Sequence, residues 1–282
     1  MSAISPELSM GPVSLSVADL ERSRIYYTRH IGLRVLDEAP GQLTLGVPDR
    51  PLLYLREQPG ARIVRHTTGL YHFALLLPSR SELARTLRRL VITETPLTGA
   101  SDHAVSEALY LSDPDGHGIE IYRDRPRDEW RFAGDSVRMT VDPLDLHSLL
   151  AEAGEENQIV MAPETIMGHV HLHVADLAAA ERFYVDQLGL ELMARYGPSA
   201  LFVAAGGYHH HIGLNTWAGV GAPPPPPDAA QLRWATLTLP DARARDATIA
   251  QLEAGGVAPE AADGTTVVRD PSGNRWRVVS AA

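Results

Sequence analysis

The chain repeats itself. Residues 11–36 (GPVSLSVADLERSRIYYTRHIGLRVL) align without a gap to residues 168–193 (GHVHLHVADLAAAERFYVDQLGLELM), an offset of 157 (168 minus 11). The turn Asp113-Pro114-Asp115-Gly116 recurs as Asp270-Pro271-Ser272-Gly273 at that same offset. Whatever one half builds, the other must build too. The two copies nevertheless disagree where chemistry could sit. Pro12 stands opposite His169, and Glu120 opposite Arg277. A looser alignment through Pro78 and Pro240 sets His72 against Trp234. His, His and Glu are metal-ligand types, whereas Pro, Trp and Arg are not. A duplicated scaffold with unduplicated chemistry points at a site.

Each half divides again into modules that read strand, helix, then three strands. In the first module residues 13–17 alternate as a strand, and Asp19 caps a helix running to about His30. Strands follow near 34–37, 42–47 and 52–56. The second module has a strand over 71–77, a helix near 81–90 and strands near 107–112 and 118–122. Between the last two, Asp-Pro-Asp-Gly is a turn: Pro presets φ at the second position and Gly tolerates the tight backbone at its end. The third module runs from His169 to Asn215, with a helix capped by Asp176 and strands near 191–194, 201–205 and 210–214. The fourth has strands over 232–239, 265–269 and 275–279 and a helix near 242–254. The predicted fold is α+β: four βαβββ modules in two tandem domains, with curved, mixed, mostly antiparallel sheets forming barrel-like cavities. Residues 1–130 and 166–282 are the expected two-module domains. Residues 131–165 are an ordered connector with a helical pattern around 144–151, and Pro223–Pro227 reads as a surface loop.

At 282 residues the chain can bury two ordinary cores. A formal charge of −10 and a pI near 5.6 argue against nucleic acid as a partner. The absence of cysteine excludes disulfides, thiolate metal sites and thiol nucleophiles. No signal peptide and no membrane-length apolar run is read, so the expectation is a cytoplasmic protein without a membrane partner. A homo-oligomer stays open.

Strand residues two apart share a face, so His169, His171 and His173 point one way. His210 and His211 are expected on another strand of that module, with His209 just before. His72 opens a strand of the second module, and Glu120 lies in its last strand. Two imidazoles and one carboxylate without a thiolate fit non-haem Fe(II), Mn(II) or Zn(II). The bland readings are a satisfied half-buried His72, a surface Glu120 and a polar loop at 209–211. His30, His66 and His147 read as surface residues, Arg275 and Arg277 as a solvated strand face or ion pairs, and Trp234 and Trp276 as core.

With these stretches together, and with GLYHFALLLPSR (69–80), GASDHAVSEALYLSDPDGHGIEIYRDRP (99–126), MGHVHLHVADL (167–177) and GGYHHHIGLNTW (206–217), the chain resembles the vicinal oxygen chelate superfamily. That superfamily includes glyoxalases, antibiotic-resistance binding proteins and extradiol dioxygenases, and the nearest likeness is to two-domain catechol 2,3-dioxygenase-like proteins. The resemblance implies metal ligands at His72, His169 and Glu120, and Fe(II) as the metal, with Mn(II) the alternative. It implies an acid/base role within the pair His210 and His211, carried by His211. It also implies a substrate contact at Tyr110, ten residues before Glu120, with His103 as the nearest match to an upstream histidine of different spacing. In two-domain ring-cleaving relatives all ligands come from the C-terminal domain. Here two come from the second module and one from the third, so modules 2 and 3 are expected to pair. The implied reaction is extradiol cleavage of a small aromatic diol by O2. A glyoxalase-type isomerase or lyase, which would want a fourth ligand, and a metal-free binding protein are the alternatives.

Overall fold

The computed structural model describes residues 3–134, 136–154, 159–262 and 264–281. Its strands form two large sheets and one two-stranded ribbon. The eight-stranded sheet joins modules 1 and 4, because Ser9–Val17 pairs antiparallel with Leu232–Leu239. The nine-stranded sheet joins modules 2 and 3, because Gly69–Leu77 pairs antiparallel with Ile166–His173. The expected pairing of the second and third modules is what the chain adopts. The register also supports the looser alignment of the repeats: Ser14 faces Trp234 in one sheet as His171 faces His72 in the other.

Helices begin where the capping residues dictate. Asp19 accepts from the Arg22 amide, Ser79 from Glu82, Asp176 from Ala179 and Asp241 from Ala244. The helix Leu20–Ile25 continues as a π-helical turn, Tyr26–Ile31, and Leu177–Glu181 does the same through Arg182–Gln187. Each half is then tied together by its repeated turn. Tyr27 donates to Asp113 Oδ2 at 2.8 Å, and Tyr184 donates to Asp270 Oδ2 at 2.9 Å. Ala18 N donates to Asp115 Oδ1, and Ala175 N to Ser272 Oγ, at 3.2 and 3.0 Å. Val13, Leu15, Val170 and Leu172 are fully buried between the layers. That burial turns the opposite strand face, with His169 and His171, toward the concave side.

Three features differ from the sequence reading. Two short strands, Gly99–Asp102 and Glu260–Ala262, extend the sheets. The connector adds a further one, Asp142–Pro143, which pairs with Gly99–Asp102, and its helix is Leu146–Ala151. His210 and His211 are not on a strand: the strand is Ile212–Asn215, and the three histidines precede it in a loop. Arg277 is also not simply solvated. Its guanidinium carbon sits 3.9 Å from the centre of the Trp234 ring, and Tyr54 packs on that ring at 5.3 Å. The counterpart of the histidine and carboxylate positions is therefore filled by a cation–π stack.

Candidate metal centre

His72, Glu120 and His169 come from three neighbouring strands of one sheet and converge. One ligand atom from each lies within 4.8 Å of the others, and all three residues are buried. Glu120 Oε2 is 3.0 Å from His72 Nε2 and 3.1 Å from His169 Nε2. The register explains the convergence: Ala74 pairs with both Glu120 on one side and His169 on the other. His169 makes a hydrogen bond to Glu120, but His72 Nε2, equally near, lacks hydrogen-bond geometry and is a buried orphan.

That arrangement fits a metal ion better than it fits a hydrogen-bond network. Two donors at about 2.1 Å from one ion and at right angles to each other would lie about 3 Å apart, as these do. Burial by itself would raise Glu120, but His169 and His72 outweigh it and hold the carboxyl well below the usual carboxylate range. Burial lowers His169 below the ordinary imidazole range, opposed only in part by Glu120. Carboxylate and neutral imidazole are the forms a metal requires.

A cavity of about 1330 Å³ opens from this cluster. His72, Glu120, Tyr110, His171 and His210 line its floor, and Ile63, Val141, Tyr196 and Trp217 its outer wall. Tyr110 stands directly across from Glu120 in the strand pair. His103 Nδ1 is 2.6 Å from the carbonyl of Thr140, which can only accept, so that nitrogen carries the proton. His103 Nε2 is then the acceptor for the Tyr110 hydroxyl, 2.7 Å away. The structure thus brings His103 to the site through Tyr110. Burial, and then the Glu120 charge, push the Tyr110 phenol well above its ordinary range, so it is neutral.

The histidine pair divides. His210 lines the cavity, its ring 4.1 Å from that of His169. His211 is turned away: its Nδ1 accepts from the Ala205 amide at 3.2 Å, and it is not among the lining residues. The sequence reading assigned the acid/base role to His211, with His210 beside it; of the two, it is His210 that lines the cavity. Sequence reasoning also left His209 and Asp124 unassigned. His209 lies against His210 and Asp124 against the far side of His209, and Asp124 sits four residues beyond Glu120 on the same strand, a spacing that shares a face. Thr140, in the connector, carried no local signal.

A fourth ligand position can be located by symmetry within the sheet. Ala74 pairs with Glu120 as His171 pairs with Gly213, so Gly213 is the counterpart of Glu120. It has no side chain, and a Cβ there would meet the His171 ring at 2.7 Å. Among the described residues, no second carboxylate joins the cluster as a fourth ligand.

With this geometry in hand, likenesses to known proteins carry weight. The model of the Glyoxalase/Bleomycin resistance protein/Dioxygenase superfamily matches residues 9–121 and 166–278. The chain belongs to that superfamily. A catechol-2,3-dioxygenase of Bacillus subtilis (strain 168) is 46% identical over 276 residues, covering 96% of each chain. Two solved structures share the fold. One is a Bacillus subtilis protein provisionally described as a dioxygenase, with TM-score 0.67 and 15% identity over 99% of this chain and 86% of that one. The other is glyoxalase I from Zea mays, with TM-score 0.57 and 17% identity over 97% of this chain and 92% of that one. The tandem modules and curved mixed sheets expected from the sequence are those of the superfamily.

Proposed function

We propose that the protein is an extradiol ring-cleaving dioxygenase, taking a catechol-type aromatic and O2 at a metal held by His72, His169 and Glu120. The observation that carries this reading is the buried three-donor cluster with no fourth protein ligand among the described residues, which leaves coordination positions facing the cavity. The 46% identical catechol-2,3-dioxygenase supports it. Fe(II) is the metal of choice for two histidines, one carboxylate and open positions, with Mn(II) the alternative. When bound, the ion supplies charge stabilisation and a common point of assembly for diol and O2.

The chain's own residues do the rest. His210 takes a proton from a diol hydroxyl and returns one later, a role that matches its position on the cavity floor. The Tyr110 hydroxyl is committed to His103, so its oxygen lone pairs remain to accept from the second diol hydroxyl. Phe202 and Trp217 each pack on His171, at 5.6 and 5.4 Å between rings, and give the cavity an aromatic side against which the diol ring can lie. In the balanced reaction the ring bond beside the two hydroxylated carbons breaks, and both oxygen atoms of O2 enter the product. A glyoxalase-type reading finds Gly213 where its extra carboxylate would be wanted.

The cavity also bears on the diol. A dry cavity of about 150 Å³ holds a benzene ring, whereas this one is about 1330 Å³. Ile63, Tyr71, Val141, Tyr196 and Trp217 are exposed apolar or aromatic residues along its wall. The favoured substrate therefore carries an apolar substituent beyond the catechol ring. The test is anaerobic Fe(II) loading, followed by O2 uptake with catechol and with alkyl- and aryl-substituted catechols. Uptake with kcat/KM rising for the larger substrates is expected. Bound iron without uptake for any diol would overturn the reading.

A further inference from the structure

His210 is held from behind by a chain of hydrogen bonds that starts in the other half of the sheet. Its Nδ1 lies 2.8 Å from Nδ1 of His209, which is fully buried. The other nitrogen of His209, Nε2, lies 2.9 Å from Asp124 Oδ1. Asp124 also accepts from the Tyr208 hydroxyl, at 3.0 Å to Oδ2 and 3.3 Å to Oδ1. Tyr208 in turn is 2.7 Å from the Tyr122 hydroxyl. Tyr208, His209 and His210 belong to the loop before Ile212–Asn215, whereas Tyr122 and Asp124 end the strand that carries Glu120.

Donor and acceptor roles follow in order. A carboxylate only accepts, so His209 Nε2 carries a proton and donates to Asp124. In a neutral His209 the other nitrogen, Nδ1, is then bare and must accept. The donor facing it is His210 Nδ1–H. That leaves His210 Nε2 without a proton and without a partner among the described residues, on a ring that lines the cavity. The two proton positions are set at constant charge: moving one along the chain moves the other.

We propose that Asp124 and His209 are positioning residues that fix His210 in the Nδ1–H tautomer, so that its bare Nε2 faces the cavity. The assignment of His210 as the group that handles the diol proton rests on the dioxygenase reading, but the tautomer does not.

The substitution Asp124→Asn makes a prediction of opposite sign. A carboxylate only accepts, so Tyr208 donates to Asp124 and Tyr122 donates to Tyr208; with that order kept, the Oδ2 position claims the amide carbonyl. The amide NH2 then stands at the Oδ1 position and donates to His209 Nε2. His209 becomes Nδ1–H, His210 Nδ1 becomes the acceptor, and the proton of His210 moves to Nε2. A histidine protonated on the cavity side cannot act as a base.

The test uses the full chain, free of metal and labelled with 15N-histidine, in which two-bond 15N–1H correlations separate Nδ1–H from Nε2–H rings. The wild type should show His209 as Nε2–H and His210 as Nδ1–H, and Asp124→Asn should show both reversed. A wild type with His210 as Nε2–H, a doubly protonated His209, or unchanged tautomers in Asp124→Asn would each overturn the proposal. The wild-type spectrum decides by itself if the variant does not fold. In iron-loaded protein, Asp124→Asn should keep its metal and its KM while kcat falls about 100-fold or more, the scale of a lost general base. If the tautomers stand but no diol is turned over by the wild type, the dioxygenase reading fails and the relay survives.

Discussion

Glu120 Oε2 faces two imidazole nitrogens at once, and only one of them has hydrogen-bond geometry toward it. Removing either His72 or Glu120 therefore removes a donor rather than a simple contact. His72→Ala and Glu120→Ala should each weaken metal binding by more than the roughly 10- to 100-fold typical of outer-shell changes. Anaerobic titration of Fe(II) against a competing chelator reads this, and wild-type affinity in either variant would remove that residue from the ligand set. The neighbouring histidines should separate by kind. His210→Ala keeps the metal and loses about 10²–10⁴ in kcat. His211→Ala keeps most of its turnover but leaves the Ala205 amide without its acceptor, costing about 1–3 kcal/mol of stability. A His211→Ala variant that folds normally and is inactive would return the acid/base role to His211.

Among the elements, close packing between neighbouring strands places the candidate ligands. A Cβ at Gly168, next to His169, would stand 2.0 Å from the Tyr122 hydroxyl, itself bonded to Tyr208. Its repeat partner Gly11 would meet the side chains of Thr236 and Thr238 at 2.8 Å. Gly168→Ala should cost about 1–3 kcal/mol of stability, as overpacking does, and should weaken metal binding as well. Thermal unfolding with and without metal separates the two effects, and a variant with unchanged melting and affinity would contradict this role for close packing. The long strands and capped helices were legible because alternation and Asp or Ser caps act locally. Gly99–Asp102 and Glu260–Ala262 were not, being four and three residues long and formed by pairing with a neighbouring strand. His210 and His211 read as strand because their sequence runs into Ile212–Asn215. Contacts from Asp124 and Trp130, which are remote in sequence, hold the loop otherwise. The candidate trio was visible because the repeat supplied an internal control at His169 and Glu120. Asp124, Thr140 and the split between His210 and His211 needed the long-range pairing.

For the molecule as a whole, the sheets decide where chemistry can occur. One sheet carries His72, Glu120 and His169, and the other carries Trp234 and Arg277 stacked in their place. Each sheet takes strands from both halves of the chain, so the site exists only when both halves are folded. This concentration of buried imidazoles has a pH consequence. Burial, reinforced by neighbouring histidines, drives His171 and His210 well below the ordinary range and His211 to about 3. The unfolded chain binds protons at these sites below about pH 6.5 while the folded chain does not, so stability rises with pH across that window and falls on acidification. The slope should reach about 1.4 kcal/mol per pH unit for each such histidine. Depression of Glu120 acts in the same sense at lower pH, since its contribution is lost as the carboxyl protonates. Denaturant midpoints of the metal-free protein should drop steadily from pH 7 to pH 5, and a flat profile would contradict this burial.

What we propose for the unduplicated cluster of His72, Glu120 and His169 is oxygen chemistry on a diol. The most direct measurement is turnover of a substituted catechol by the iron-loaded protein under 18O2, with mass analysis of the product. A ring-opened product carrying both labelled atoms is expected. A product without label, or no ring opening while iron is bound, would contradict the claim.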